Sequence, residues 1–431
     1  MYKFAVISFP GTNCEQEAVR AFKRNGMDAE TVLWNDPGML DGSRTAEFDG
    51  YCIAGGFSYE DRGRSGIVAS QDPITEVLRQ EADRGKIILG ICNGAQVLVE
   101  TGLVPGFEDK ALGMALAWNE MKQEGRVIDT GFYNAWSYLK NTAPKGRTAF
   151  NHFDDLLHVP FAHGEGRFMI EEELLKKLEE NGQIVFRYCD AEGQIDARYP
   201  ITPNGATAAV AAVCNPAGNV MAIMPHPERD PMGNGNLIFS SIKTHLDGQM
   251  KADYQSLGAG QARENIQPKT SFDVEFYVRL IITDNTERTI EETLLRKGFS
   301  LHLDRYEFFG VNVSKKDDLK AVAQKILNSG ELANFNKQLV YVKIGGEMLQ
   351  YDPQNGFRPK TLSFEHALIT ADLKDFAGEA KKAALDLHAD QMIKKVMCGV
   401  LWNFTQANEV TIQKAIESKV LYNPYSMVLY K

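Results

Sequence analysis

Residues 86–102, KIILGICNGAQVLVETG, set an apolar run directly against a helix-forming run, with Gly90, Cys92 and Gly94 at the junction. Lys86 to Gly90 reads as a buried strand, and Ala95 to Thr101 as a short helix closed by Gly102. A strand that passes straight into a helix needs a tight turn, and the two glycines remove the side chains that would block it. Cys92 at the tip is then held outward, and the positive end of the following helix favours its thiolate. This is the geometry of a nucleophile elbow. A buried structural cysteine is the alternative, since most cysteines are simply packed.

An elbow of this kind sits at the carboxyl end of a strand in an α/β sheet, and residues 1–246 carry the matching pattern. KFAVISF, ETVLW, GYCIAGG, KIILGI and NVMAIMPH read as strands; EQEAVRAFKRNG, ITEVLRQEADRG and a run within NLIFSSIKTHL read as helices. Alternation of this type implies an open, mostly parallel sheet with helices on both faces, its active site at the carboxyl ends of the strands. Residues 247–271 lose periodicity, gain Gly, Gln and Ser, and read as a linker.

Beyond the linker the chain turns to strand, helix, strand, helix, strand, and then repeats itself. Shifted by 89 positions, the stretch from Gly310 to Asn334 matches itself at Gly399, Val400, Gln413, Lys414, Ser418, Leu421 and Asn423. Chance gives roughly one or two such matches, so a tandem pair of small α+β units is expected, 272–345 and 346–431. The flanks add LIIT against LIT at 368–370 and LVYVK against MVLYK at 427–431. Two copies can join their sheets as a pseudo-dimer, each removing the other's exposed edge.

A thiolate nucleophile needs a base and a group that orients the base. NVMAIMPHPERD offers His226 and Glu228, and the prolines on either side of His226 favour an extended chain in which alternate residues face the same way. Acyl transfer also needs donors for the oxyanion. The backbone N–H of Asn93 is one candidate; the loop GGFSYED, where Gly55 and Gly56 let an N–H point into the site, supplies the other. In HFDDLLHVPFAHGEGRF, the spacing of His152, His158 and His163 does not put them on one helical face. His163 is read as part of a substrate or partner loop, the other two as structural, and no metal site is expected.

Composition narrows the class further. Six scattered cysteines without a CxxC pair give neither a disulfide framework nor a zinc site, so free thiols in the cytosol are expected. A net charge of -10 and the lack of a basic, aromatic stripe argue against nucleic acid. No apolar stretch is long enough for a membrane span, and Met1 leads straight into a strand without a signal-peptide pattern. No G-x-x-x-x-G-K-[ST] loop or carboxylate cluster marks a nucleotide-metal site, and no cofactor is implied.

At this point the residues resemble a family, the class I glutamine amidotransferases, whose glutaminase domains carry a G-x-C-x-G-x-Q elbow and a late His-x-Glu. GICNGAQ at 90–96 fits throughout. Within that class, FPGTNCE at 9–15, GGFSYED at 55–61, HGEGRF at 163–168, PNG at 203–205 and MPHPER at 224–229 are similar to the glutaminase subunits of phosphoribosylformylglycinamidine synthase. The resemblance implies Cys92, His226 and Glu228 as catalytic residues, Gly56 and Asn93 as oxyanion donors, and Gly55, Gln96 and His163 as substrate contacts. It implies glutamine as substrate and a large, separate ATP-dependent synthetase as partner. The sequence departs from the family at Ala54, where Pro is usual, at Glu60, where Gly is usual, and at Ala206, where Ser is common. The tandem units resemble, more faintly, the small bridging subunit of the same synthase; a pair of regulatory ligand-binding modules is the alternative. A cysteine hydrolase or peptidase, or a non-catalytic scaffold, remains open for the first domain, and glutamate release from glutamine separates these.

Overall fold

The computed structural model describes residues 1–123, 126–230, 232–248, 254–261, 263–388 and 392–431. The chain divides into two compact units, Met1–Ala262 and Arg263–Lys431. The linker expected at 247–271 falls partly outside the described residues, at 249–253 and 262. Ile266–Gln267 form a strand paired in parallel with Leu429 and Tyr430, so this end of the expected linker belongs to the second unit. No described helix is long and apolar enough to cross a membrane.

The first unit is built on a nine-stranded sheet. Its order is Asp28–Leu33, Lys3–Ser8, Gly50–Ile53, Ile87–Ile91, Val220–Ile223, Val210–Cys214, Ile184–Cys189, Tyr133–Asn141 and Leu157–His163. The first five strands are parallel; the inner four are almost wholly buried, as a sheet covered by helices requires, while the edge strand Asp28–Leu33 buries only Ala29 and Val32. The remaining pairings are antiparallel, so the sheet is mixed where a mostly parallel one was expected. The reason is local. Val210–Cys214 and Val220–Ile223 are joined by a short turn through Gly218, which only an antiparallel pair permits. Tyr133–Asn141 alternates exposed and covered residues, the mark of a sheet with one solvated face.

The second unit holds another nine-stranded sheet. Strand, helix, strand, helix, strand occurs as Val274–Leu280, Asn285–Arg296, His302–Val313, Leu319–Asn328 and Gln338–Ile344. It occurs again as Ala367–Asp372, Phe376–Asp386, Ile393–Thr405, Glu409–Glu417 and Met427–Tyr430. A hairpin, Glu347–Asp352 and Gly356–Pro359, extends the free edge of the first run. The long strands His302–Val313 and Ile393–Thr405 pair antiparallel at the centre, with Phe309 opposite Cys398, the position 89 residues on. Phe308 pairs with Gly399 and Gly310 with Met397, so the two runs meet about a local pseudo-dyad, as two protomers meet across an isologous interface.

The flanking matches do not share that offset. Val274 pairs with Val311 and Thr370 with Val400, the equivalent of Val311, so the first strands correspond at 96 positions and LIIT is not the counterpart of LIT. Ile344 pairs with Val274 and Leu429 with Thr370, which sets the last strands 85 positions apart rather than 88. Turns around the helices differ in length between the runs and absorb the difference. Alternate residues of the sheet feed two cores. Phe276, Val311, Val342, Ile326 and Val396 pack on the helix side, and Tyr277, Tyr306, Phe308, Tyr341 and Leu401 on the other.

Candidate active site

Cys92 lies between the strand Ile87–Ile91 and the helix Asn93–Glu100, at φ 51° and ψ -106°. A non-glycine residue held there is strained, which is how an elbow projects its nucleophile. The glycines beside it are demanded by contact rather than by flexibility. A Cβ on Gly94 would lie 2.0 Å from the Ile53 carbonyl oxygen, and one on Gly90 2.6 Å from that of Gly94. The turn is therefore packed against the neighbouring strand Gly50–Ile53 and folded tightly on its own helix. The Cys92 thiol meets the Ala162 carbonyl at 3.6 Å.

The strand Val220–Ile223 runs parallel to Ile87–Ile91 with Ile223 opposite Ile91, so the segment after it leaves the sheet at the same pole as Cys92. His226 and Glu228 are both buried there, and Nδ1 of His226 is 2.6 Å from Glu228 Oε1. They do not meet through an extended chain, as the prolines implied. Pro227–Arg229 form a single 3-10 turn that brings the carboxylate back beneath the ring. Nε2 of His226 and Oε2 of Glu228 have no hydrogen-bond partner. Burial alone opposes the imidazolium, but the Glu228 carboxylate, then the Cys92 and Cys14 sulfurs, overcome it and raise His226 well above its ordinary range. The ring is thus close enough to Cys92 to feel its charge, and it is built to hold a proton.

The third strand, Gly50–Ile53, places its loop at the same pole. Gly56 sits at φ 151°, and a Cβ there would lie 2.7 Å from both the Asn13 amide nitrogen and the Thr12 Cα. Gly55 is tucked under the base, where a Cβ would come within 2.8 Å of His226 Cε1. Asn93 opens its helix, so its N–H has no acceptor within the helix and is available to a ligand. Its side chain fastens the loop. Oδ1 accepts from the Ser58 N–H at 3.0 Å, and Nδ2 donates to Asp61 Oδ1 at 3.3 Å and to Gln96 Oε1 at 2.9 Å. That clamp holds Tyr59, Glu60 and Asp61 at φ 53°, 58° and 52°, three successive left-handed residues that cost roughly 1–2 kcal/mol each. The departure from Gly at Glu60 therefore leaves the turn in place at an energetic cost.

Gln96 is placed otherwise than a free substrate contact would be. Its Oε1 is taken by Asn93 and its Nε2 donates to the Glu165 carbonyl at 2.7 Å, so it ties the elbow helix to the HGEGRF loop. His163 is buried at the end of Leu157–His163. Its Nδ1 is 3.1 Å from Asn119 Oδ1, its Nε2 has no partner, and burial, with His226 adding, holds its pKa down to about 3. It is a neutral ring. His152 pairs with His245 at 3.4 Å, and His158 stacks on Tyr138, so neither belongs to the pole of Cys92.

Four groups at the site have no role that sequence reasoning assigns, although Cys14, Asp61 and Glu165 fall within FPGTNCE, GGFSYED and HGEGRF. Asp61 and Glu165 face the same region from separate loops, Glu165 Oε2 accepting from the Ser65 N–H at 3.2 Å. Burial pushes Asp61 up to about 6 and Glu165 up to about 7, with the Asp61 charge adding to the second. Tyr188 is fully buried, and burial and the nearby Cys92 charge raise its phenol. Cys14, within the quoted FPGTNCE, lies beside His226 and accepts from Arg229 Nη2 at 2.8 Å. Asn204 of PNG explains that motif: its Nδ2 donates to the Gly166 carbonyl at 2.8 Å and so braces the HGEGRF loop.

Residues 1–238 match the family model of the CobB/CobQ-like glutamine amidotransferase domain. Subunit PurQ of phosphoribosylformylglycinamidine synthase from Methanothrix thermoacetophila is 41% identical over 263 residues, covering 57% of this chain and 98% of that protein. The PurQ subunit of Gloeobacter violaceus is 38% identical, covering 56% and 96%. Among solved structures, PurLQS from Thermotoga maritima is 30% identical with a TM-score of 0.44, covering 57% of this chain and 99% of that one. With a nucleophile elbow, a paired histidine and carboxylate and two glycine-shaped loops at one pole, the chain belongs to the glutamine amidotransferases, and its first unit to their PurQ branch.

Proposed function

We propose that Cys92, His226 and Glu228 hydrolyse glutamine, and that the ammonia goes to a separate ATP-dependent synthetase subunit making formylglycinamidine ribonucleotide in purine biosynthesis. The observation that carries this is that residue 92 and residues 226 and 228 follow the ends of two neighbouring parallel strands, with His226 Nδ1 2.6 Å from Glu228 Oε1. His226 Nε2 takes the Cys92 proton, and the thiolate adds to the side-chain amide carbon of glutamine. The oxyanion is held by the N–H groups of Asn93 and Gly56. The imidazolium then protonates the departing nitrogen, ammonia leaves, and a γ-glutamyl thioester remains. Water, giving a proton to His226, cleaves the thioester and releases glutamate. Glu228 holds the ring so that Nε2 faces the sulfur. Glutamate release from glutamine, lost in Cys92→Ala, is the direct test.

Asp61 and Glu165 fit the α-ammonium group of the substrate. Two part-buried carboxylates, both raised by burial and Glu165 further by the Asp61 charge, are best relieved by a cation between them. Asp61→Asn and Glu165→Gln should each raise KM for glutamine about tenfold, the loss of one charge-assisted hydrogen bond, with kcat nearly kept. KM of the unaltered protein should fall as pH rises from 6 to 8. Carboxyls whose pKa is raised by folding lose stability as pH rises through about 6 and 7, so both amide variants should melt higher than the parent at pH 8. A KM unmoved by either substitution sinks this assignment.

The second unit is proposed to bridge the glutaminase to its synthetase. Support comes from its two like runs joined about a pseudo-dyad, which present in one chain what a dimer of a small subunit would present. A chain ended after residue 262 should still release glutamate but recover much less synthetase in a pull-down. Equal recovery would favour the regulatory-module reading.

A further inference from the structure

Among the described residues, one group of potential metal ligands stands out, and it shares the catalytic pole: Cys14, His226 and Glu228. One ligand atom from each lies within 4.8 Å of the others, and all three residues are buried. The donors are a sulfur, an imidazole nitrogen and a carboxylate oxygen. That set suits a borderline-soft, tetrahedral ion far better than magnesium or calcium, which prefer oxygen alone. The framework keeps the donors close. Cys14 is fixed by its N–H to the Gly55 carbonyl at 3.1 Å, and Gly55 has no side chain to part the sulfur from the ring, since a Cβ there would lie 3.3 Å from Cys14 Sγ and 2.8 Å from His226 Cε1. One donor atom of the group is unsatisfied: Oε2 of Glu228 is buried without a hydrogen-bond partner. Cys14 carries no step of the glutaminase reaction; its sulfur accepts from Arg229 Nη2 at 2.8 Å and its thiol donates to Asn13 Oδ1 at 3.1 Å, contacts that a bound ion replaces.

We infer that Cys14, His226 and Glu228 form a binding site for a thiophilic divalent cation, zinc being the ion it fits, and that the bound ion switches off the base. Zinc ligands at about 2.0–2.3 Å from the metal lie roughly 3.3–3.8 Å from one another, so the group has to contract by about 1 Å. The ion enters between Nδ1 of His226 and the Glu228 carboxylate, in place of the proton they share, with Cys14 Sγ as third ligand. The Cys14 thiol proton is released to solvent on binding. The ring proton moves from Nδ1 to Nε2, and Nε2 then has no lone pair for the Cys92 proton. The arrest rests on the proposed role of His226; the binding does not.

Zinc competition against a chromophoric chelator, run on the full chain, tests the site, and glutamate release with and without zinc tests the arrest. Wild-type protein and Cys92→Ala should each take up one equivalent. Cys14→Ser should bind at least tenfold more weakly, and its glutamate release should no longer respond to zinc. Glu228→Gln should also bind more weakly, and it stands in for Cys14→Ser if that variant is poorly folded by circular dichroism. Cobalt(II) should give a thiolate charge-transfer band in wild type and Cys92→Ala and not in Cys14→Ser. Undiminished zinc affinity in Cys14→Ser, or loss of binding in Cys92→Ala, overturns the site. If zinc binds as described but the metal-free protein releases no glutamate, it is the glutaminase assignment that has failed.

Discussion

Cys92→Ala is expected to reduce glutamine-dependent amidine formation by about 10⁴-fold or more, the scale on which removing a covalent nucleophile acts when the rest of its triad has nothing left to activate. The same assembled enzyme, given ammonium salts, should form product at the parental rate, because ammonia enters after every step that needs the sulfur. The substitution is mild on the fold. It deletes one atom at a residue already 5% exposed, and alanine meets the same left-handed backbone that cysteine tolerates at φ 51°. Thermal melting should therefore move little, and a loss of activity cannot be blamed on unfolding. The decisive pair of measurements is glutamate release and ammonia-driven synthesis on one preparation. Glutamate release retained within tenfold would show that another group attacks the amide, and loss of both activities would show that Cys92 matters to the synthetase reaction instead.

What could be read from residues alone was whatever is written in short, contiguous patterns. The elbow is such a pattern, because a strand, a corner and a helix follow one another along the chain. The structure adds the cause: Gly94 and Gly90 are pressed against the Ile53 carbonyl and the turn itself. His226 and Glu228 are two residues apart, so their pairing was legible even though the turn that joins them was not an extended strand. Asp61, Glu165, Tyr188 and Cys14 reach the same pole from four separate loops or strands, and no spacing rule links them. The antiparallel half of the first sheet was missed for a related reason. Tyr133–Asn141 alternates exposed with covered residues, and Leu157–His163 alternates buried with half-buried ones, patterns that resemble loop sequence until their partners are known. In the second unit the 89-residue offset survives across the central strands, where hydrogen-bond register fixes it, and slips to 96 and 85 in the outer ones, where turn length is free to vary.

Glu228→Gln tests how the base is held, and its effect should be second only to that of losing the sulfur. Glutamine is nearly isosteric, but its amide can present NH2 to Nδ1 and so stabilise the tautomer that carries its proton on Nε2, where it cannot accept from Cys92. A fall in kcat of about 10³–10⁴-fold is expected, as when the buried carboxylate of a comparable triad is made an amide. Stability carries an independent signature. His226 is buried, which by itself lowers its pKa, yet the Glu228 carboxylate raises it well above the ordinary imidazole value of 6.5. A histidine whose pKa is raised by folding contributes stability that is complete below about 6.5 and is lost as pH rises through its folded value. The variant lacks the carboxylate and hence most of that contribution. Urea denaturation should find it clearly less stable than the parent at pH 6, with the gap narrowing as pH rises. If the gap widens instead, the carboxylate acts through something other than the imidazolium. A kcat within tenfold of the parental value would remove Glu228 from the mechanism, and His226 would then be oriented by its 2.7 Å backbone bond to the Pro160 carbonyl and by packing alone.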